Sequence, residues 1–184
     1  MQKNSTWIAI AVVVVIALGA FWYLRRDSSP QNLVSLVEQF AQAEKRATLP
    51  MEMAFKLEDV TIDNVTKPAI YATPHSRIIF TQVIPQDAWL ETSFAMRPDS
   101  WELPGDGAQF RIGISDGKVY EELLRQYVNP KRGDRRWFSA RFDLSAYEGR
   151  QVKLIFNTDP GPPGDGNTEN DFSVWAEPRL YSRR

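Results

Sequence analysis

One compact turn contains three residues whose side chains could take part in catalysis, in the order Asp143, Ser145 and Tyr147. A hydroxyl beside a carboxylate and a phenol raises the question of nucleophilic or acid–base chemistry. A serine nucleophile needs a neighbouring base, and the single histidine, His75, lies in a different predicted strand without a supporting motif. Asp143 or Ser145 can instead cap a single turn, and Gly149 permits the left-handed backbone that reverses the chain. The pattern therefore predicts a structural turn.

The remaining carboxylates offer no pair that fits a hydrolase. Glycoside hydrolysis needs two carboxyl groups flanking the scissile bond, and the spacing of Asp143 and Glu177 identifies no such pair. Glu177 lies in W-A-E-P-R, where a salt bridge at the end of a strand is its expected role. The chain has no cysteine, which excludes disulfides, thiolate metal sites and cysteine nucleophiles. We therefore expect that the protein is not an enzyme.

A second set of polar residues falls in the segment G-P-P-G-D-G-N-T-E-N-D. Its oxygen donors are the kind that hold calcium: Asp165, Asn167, Glu169 and Asp171. Their spacing does not match an EF-hand loop. Two interpretations stay open, a solvated loop and a structural calcium site formed by these four residues, and we expect no other cofactor.

Aromatic side chains form the third set of candidates. Rings on the surface of a domain can stack on sugars or anchor a partner, although most aromatic residues fill the core. The candidates for ligand or partner binding are Trp101, Trp89 and Tyr120, with Tyr127 and Trp137 as further members of the set. Trp101 lies in the loop-like P-D-S-W-E-L-P-G-D-G and is expected to be the most exposed.

Length and charge limit the class of protein. The 184 residues, 43% of them hydrophobic, can bury one substantial core. The 22 lysines and arginines nearly balance 23 aspartates and glutamates. Since no global field favours a polyanion, we expect one folded domain and no nucleic-acid partner.

The N-terminal region carries a membrane-spanning signal. Trp7–Leu24 (WIAIAVVVVIALGAFWYL) has no charged residue, and as a helix it would span roughly 27 Å, close to the bilayer core. We expect a single-pass transmembrane anchor over residues 7–24 that contacts the lipid bilayer and follows a short cytoplasmic segment over residues 1–6. A cleaved signal peptide, with Lys3 as its positive region, is the alternative.

The positive charges that flank this anchor do not decide its orientation, because Lys3 lies on one side and Arg25 and Arg26 lie on the other. We therefore infer the orientation from the usual topology of an exported protein with an N-terminal signal anchor. An N-terminal signal anchor followed by one domain places that domain on the periplasmic or extracellular side.

Residues 25–50 are predicted to form a linker and a short amphipathic helix. Leu33, Leu36, Val37 and Phe40 recur at three- and four-residue spacing, which is typical of a helix over Leu33–Arg46. Such a helix could be a stalk that packs on the domain or a docking element for another membrane subunit.

From residue 51 to residue 184 the sequence pattern predicts an all-β domain. Short alternating runs are broken by proline, glycine and aspartate, without intervening helices, which indicates a two-sheet sandwich. The predicted strands are Phe55–Ile62, Ala69–Thr73, Arg77–Ile84, Ala88–Met96, Ala108–Ser115, Lys118–Val128, Trp137–Asp143, Gln151–Thr158 and Phe172–Leu180. Only Lys118–Val128 is ambiguous, because E-E-L-L-R-Q-Y also suits a helix.

Two motifs carry a resemblance to a known family. The first is W-x5-D-L-S-x-Y-x-G-x-x-V-x-L-x-F from Trp137 to Phe156, and the second is D-F-S-V-W-A-E-P-R-L from Asp171 to Leu180. Together they resemble the galactose-binding-like jelly rolls and carbohydrate-binding modules of bacterial exported or membrane-anchored proteins. The resemblance implies a jelly-roll sandwich, which in related modules often carries a structural calcium ion. It is specific for fold and weak for function.

The function expected from the sequence is binding without catalysis. The leading hypothesis is a membrane-anchored extracytoplasmic module that serves as an accessory or assembly subunit, with integral membrane protein subunits as partners. The alternative is a surface module that binds glycan or cell-envelope polysaccharide.

Overall fold

The computed structural model describes residues 31–162, 164 and 166–182. Within these ranges the chain forms eleven β-strands, one short α-helix and four 3-10 turns. No helix of this part of the chain has the length and apolar character needed to cross a membrane. The anchor expected over residues 7–24, together with residues 1–6 and 25–30, lies outside the described residues.

Six strands form the first sheet. Their bounds are β1 (Gln31–Ser35), β3 (Phe55–Ile62), β4 (Val65–Ala72), β6 (Ala88–Met96), β9 (Phe138–Asp143) and β11 (Ser173–Ser182). The spatial order is β3-β4-β11-β6-β9, and β1 pairs with the second half of β11. Every pairing is antiparallel.

Five strands form the second sheet, which is also antiparallel. Their bounds are β2 (Glu44–Ala47), β5 (Ser76–Val83), β7 (Ala108–Ser115), β8 (Tyr120–Val128) and β10 (Gln151–Pro160). The spatial order is β2-β5-β10-β7-β8. A single helical turn, α1 (Met51–Ala54), precedes β3. The predicted two-sheet sandwich is confirmed, and the ambiguous segment Lys118–Val128 is a strand from Tyr120 onward.

The core between the sheets is built around Trp175. Its ring lies 5.6 Å from Phe94, 4.9 Å from Phe110 and 5.1 Å from Phe156, measured between ring centroids. Strand alternation sends every second side chain of β7 and β10 inward, so each sheet contributes a row of buried apolar residues. The indole Nε1 of Trp175 donates to Oγ1 of Thr158 at 3.1 Å, which satisfies its one polar atom inside this core.

The predicted amphipathic helix over Leu33–Arg46 is wrong. The segment forms β1, a 3-10 turn over Phe40–Gln42 and β2, and these two strands join opposite sheets. Its apolar residues are buried by this route: Leu36 enters the core and its N–H donates to the carbonyl of Pro178 at 2.9 Å. Pairing with the edges of β11 and β5 is therefore more favourable for this segment than forming a helix, because strand pairing supplies hydrogen bonds to these strands as well as burial.

The D-L-S-x-Y-x-G segment is a structural turn, as the sequence predicts. The backbone N–H of Ser145 donates to Oδ1 of Asp143 at 2.9 Å and opens a 3-10 turn over Ser145–Tyr147. Leu144 is buried in the core, and Gly149 has a φ of 71°. The turn thus carries the chain from β9 in one sheet to β10 in the other.

The tip of the β3–β4 hairpin reaches across the outer face of the six-stranded sheet. Asp63 and Asn64 both have positive φ, as in a type I′ turn. The indole Nε1 of Trp137 donates to the carbonyl of Val65 at 3.2 Å, although β4 and β9 are separated by two strands in the sheet. Val60 and Ile62 are buried in a second apolar cluster whose other members, all on this face, are Ala69, Ala95, Val174 and Ala176. The hairpin tip therefore covers much of this face.

Candidate functional site

The three aromatic candidates do not share a site. Trp101 follows β6 and is half-buried, with its Nε1 donating to the carbonyl of Met96 at 3.0 Å. The expectation that Trp101 is the most exposed is wrong, because its ring packs against both apolar clusters. Trp89 is half-buried on the six-stranded sheet beneath the guanidinium of Arg141. Tyr120, in contrast, is 51% exposed on the five-stranded sheet.

Two other aromatic side chains of the set have structural roles. The phenol of Tyr127 donates to the carbonyl of Asp106 and lies against Gly161. Trp137 contacts the hairpin tip, as described above. Tyr120 therefore remains the aromatic candidate for ligand contact.

The ring of Tyr120 lies over Gly113. Ile112 and Ile114 point into the core, so Gly113 between them faces outward. A Cβ atom placed on Gly113 would lie 2.3 Å from Cε2 of Tyr120, which is closer than any real contact. Only glycine at this position allows the ring to lie so close to the strand, and about half of the Tyr120 surface stays exposed to solvent (51%).

An apolar strip continues from this ring across the sheet. Ile155 pairs with Gly113 on one side and with Ile79 on the other. Ile79 is buried and Ile155 is half-buried, although both lie on the outer face. We call Tyr120, Ile155 and Ile79 the transverse strip. It runs across β5, β10 and β7 and reaches the edge strand β8.

A row of planar polar side chains runs beside the transverse strip. Consecutive cross-strand pairs place these residues side by side from β2 to β8: Arg46, Arg77, Asn157, Arg111 and Arg125. We call them the arginine row. On the other side of the strip the neighbouring residues are Thr81, Lys153 and Ser115. The outer face thus combines an apolar strip with a flanking row of polar groups on each side.

Hydrogen bonds hold the arginine row in place. Nε of Arg77 donates to Oδ1 of Asn157 at 2.6 Å, and Asn157 is buried beneath its neighbours. Nε of Arg111 donates to Oδ2 of Asp159 at 2.5 Å. Arg125 donates from Nε and Nη2 to the two carboxylate oxygens of Glu122, each at 2.8 Å. Such forked contacts fix guanidinium planes better than a single bond does.

The same contacts keep these groups charged. The hydrogen bond to Asp159 raises the pKa of Arg111 above its ordinary value. The hydrogen bonds from Arg125 lower the pKa of Glu122 below its ordinary value. The charges of Arg111 and Glu122 therefore persist through the neutral pH range.

Sequence reasoning proposed Tyr120 as a candidate, which stays a prediction, and it did not find the arginine row. The row has no local signature, because its members lie far apart along the chain and meet only through strand register. The usable signal was F-R-I-G-I in β7, where alternation places Arg111 and Gly113 on the same outward face.

The residues proposed for calcium are partly described. Oδ1 of buried Asp171 accepts from the N–H of Gly107 at 2.9 Å, and Oδ1 of Asn167 accepts from the N–H of Glu169 at 3.0 Å. Asp165 lies outside the described residues. In the part of the chain that the structure describes, no group of three or more histidines and carboxylates is arranged to hold a metal. The calcium site therefore stays a prediction.

Three surface cavities lie away from the transverse strip. One of about 280 Å³ is lined by Glu38 and Glu177, one of about 290 Å³ by Asp59 and Arg97, and one of about 220 Å³ by His75 and other residues. Glu177 forms a salt bridge with Lys67 at 2.6 Å, which agrees with its expected structural role. The first two volumes lie near the lower limit of about 300 Å³ for ligand pockets, and the third lies below it.

The sheet order and the core define a two-sheet antiparallel sandwich, and its fold is similar to the galactose-binding-like jelly rolls of carbohydrate-binding modules. The resemblance seen in the two sequence motifs is therefore confirmed at the level of fold.

Comparisons with solved structures support this assignment. CBM51 from Clostridium perfringens GH95, solved in complex with methyl-galactose, matches with a TM-score of 0.54 and 16% identity, over 80% of this chain and 98% of that chain. TmCBM61, solved in complex with β-1,4-galactotriose, matches with a TM-score of 0.53 and 9% identity, over 78% of this chain and 90% of that one.

Sequence comparison adds one relative. An uncharacterized protein of Archaeoglobus fulgidus is 40% identical over 109 residues, which cover 57% of this chain and 27% of that protein. This chain thus spans about a quarter of the length of the curated relative it matches. No protein-family model matches the sequence.

Proposed function

We propose that the protein is a carbohydrate-binding module whose ligand lies along the transverse strip, with Tyr120 as the stacking ring. The observation that carries this proposal is the ring itself, because it lies against Gly113 and yet leaves about half of the Tyr120 surface exposed. An exposed aromatic ring beside fixed polar groups suits a ligand that has both apolar faces and hydroxyl edges.

The arrangement around the ring matches the needs of a sugar chain. Arginine side chains supply planar hydrogen-bonding groups on one side of the strip, and the side-chain hydroxyls of Thr81 and Ser115 lie on the other. About five strands at roughly 4.8 Å spacing give the face a width of about 19 Å, which accommodates a short oligosaccharide. The similar folds of two galactose-ligand modules support the same class of ligand.

One argument for the hypothesis of an accessory membrane subunit no longer holds. It relied on a docking helix over Leu33–Arg46, and those residues instead complete the two sheets. Membrane presentation remains part of the proposal, supported by the uncharged sequence of Trp7–Leu24. Full-length protein should then stay in the membrane pellet after carbonate extraction, whereas a soluble product would contradict the anchor.

Affinity electrophoresis of the full-length protein in mild detergent tests the binding function. The gels contain neutral β-1,4-galactan, acidic polygalacturonate or no polysaccharide. We expect retardation by at least one polysaccharide, and a loss of at least about tenfold in affinity, or about 1.4 kcal/mol, in Tyr120→Ala. The matched control is Val65→Ala, which removes an exposed apolar side chain from the hairpin tip.

Two outcomes would overturn this proposal. One is unretarded migration of the wild-type protein in both polysaccharides. The other is equal affinity of wild-type protein and Tyr120→Ala, because the ring would then make no contribution.

A further inference from the structure

We infer that the ligand of this face is an acidic polysaccharide, one that carries carboxylate or sulfate groups along a sugar chain. The inference rests on the proposed carbohydrate-binding function and narrows its ligand class. It comes from the distribution of charge on the five-stranded sheet.

The outer face of the five-stranded sheet is positive. Strand register gives this face the cations Arg46, Arg77, Arg111, Arg125 and Lys153 and the carboxylates Glu44, Glu122 and Asp159. Five cations against three carboxylates leave an excess of two positive charges, whereas the whole chain has a net charge of −1. The charge of this face is therefore opposite in sign to that of the remaining sequence, and the local field favours an anion.

Two of these cations are available to a ligand. Arg46, Arg111 and Arg125 each lie within salt-bridge distance of a carboxylate. Across the described residues, no carboxylate oxygen lies within 4.0 Å of the charged nitrogens of Arg77 or Lys153, and both side chains are exposed. Arg77 donates its Nε to the neutral amide of Asn157, which orients the guanidinium without cancelling its charge.

The positions of these two cations fit a chain that follows the transverse strip. Asn157, the cross-strand partner of Arg77, and Lys153 lie on β10 on opposite sides of Ile155. At about 3.3 Å per residue, the two flanking positions are about 13 Å apart along the strand. A sugar chain lying on the strip would therefore pass between a guanidinium on one edge and an ammonium on the other. Arginine pairs with carboxylate or sulfate through two parallel hydrogen bonds, and lysine does so as a point charge.

A matched pair of ligands isolates the charge. Isothermal titration of the full-length protein in mild detergent compares tetragalacturonate with the same tetramer after complete methyl esterification. Both ligands keep the same sugar ring and chain length, and only the acidic form carries carboxylates. Dextran sulfate and dextran form a second pair, which separates sulfate from carboxylate as the recognised anion.

We expect the acidic member of at least one pair to bind at least about fivefold more tightly than the neutral member. Arg77→Gln and Lys153→Gln should each weaken acidic binding about two- to fivefold, since exposed charge pairs contribute modestly. Each substitution should weaken binding of the acidic member more than binding of the neutral member, because only the acidic member offers a charge partner. Raising NaCl from about 50 to about 500 mM should reduce the acidic preference by screening.

The control variant is Arg141→Gln, which removes an exposed strand arginine from the other sheet. It should leave both affinities unchanged, and the melting temperature of each variant verifies that it is folded. Lys153→Gln has particular weight, because no hydrogen bond of its ammonium group is lost within the described structure.

The outcomes separate this inference from the proposed function. Equal binding of acidic and neutral members, with loss of both in Tyr120→Ala, overturns the acidic preference and leaves the carbohydrate-binding function standing. Acidic binding that Arg141→Gln weakens as much as Arg77→Gln does also overturns it, because the preference would then come from general charge. Tighter binding of polyuridylate than of any acidic glycan overturns both.

Discussion

The phenol of Tyr147 donates a hydrogen bond to Oε2 of Glu121 at 2.6 Å. Tyr147 belongs to the 3-10 turn that links β9 to β10, and Glu121 belongs to edge strand β8. The bond therefore ties the crossover between the two sheets to the strand that carries Tyr120. It also gives the tyrosine of the D-L-S-x-Y-x-G motif a structural role.

This bond should make stability depend on alkaline pH. The hydrogen bond to Glu121 and, secondarily, burial raise the pKa of Tyr147 from 10.0 to about 12. Folding thus favours the neutral phenol, and its contribution is complete below pH 10 and is lost as the pH rises toward about 12. Urea denaturation should show wild type more stable than Tyr147→Phe at pH 8, with a smaller difference at pH 11. A difference that is equal at both values would contradict this role.

Gly113→Ala should displace the ring of Tyr120 without unfolding the domain. The added methyl group would occupy the position of the ring, which is exposed and free to swing away. We expect carbohydrate affinity to fall nearly as far as in Tyr120→Ala, with little change in Tm. A double-mutant cycle provides the control, since Gly113→Ala should have no further effect once Tyr120 is alanine. Additive losses would show that Gly113 does not act through the ring.

Substitutions around the buried indole of Trp175 should lower the free energy of unfolding by different amounts. Trp175→Ala should lower the free energy of unfolding by about 3–5 kcal/mol, because it leaves a cavity among three phenylalanine rings. Thr158→Val removes the acceptor for the indole N–H and should cost about 1–3 kcal/mol. Thr81→Val, on the exposed face of the same sheet, is the matched control and should change little. Urea denaturation measures all three, and a negligible cost for Thr158→Val would show that the bond is unimportant.

Chelation tests the predicted calcium site at Asp165, Asn167, Glu169 and Asp171. If calcium binds only the folded protein, EDTA should lower the Tm. Asp171→Asn keeps an oxygen that can accept from the N–H of Gly107 but removes a charge, so its Tm should respond less to EDTA. Asp171→Ala should in addition lose the loop hydrogen bond and melt earlier even with EDTA present. Identical melts of wild type with and without EDTA would leave a solvated loop.

The strands of the sandwich could be predicted because burial on one face imposes a period of two. Phe110, Ile112 and Ile114 show that period directly, and their inward direction follows from it. The first two strands could not, because the apolar residues between Val34 and Phe40 also fit a helix. Their conformation is decided by partners more than 30 positions away in the sequence, such as Ile78 for Lys45 and Leu180 for Val34.

The candidate site could be predicted only in part, for a related reason. Tyr120 could be proposed from the sequence, because it is an aromatic residue that follows a predicted turn. The arginine row depends on the register of four strand pairs, and a shift of one residue in any of them would send a guanidinium into the core. Register is a property of the assembled sheets, so no local pattern identifies the row.

The hairpin tip over the six-stranded sheet has a consequence for motion. Its apolar cluster shares no buried residue with the main core, so the tip can lift as a cooperative unit while the sandwich stays intact. Amide hydrogens near Asp63 and Asn64 should therefore exchange through a local opening of low free energy, and those of β10 only through global unfolding. Each opening would break the contact between Trp137 and Val65 and admit water to a face that the native state keeps dry.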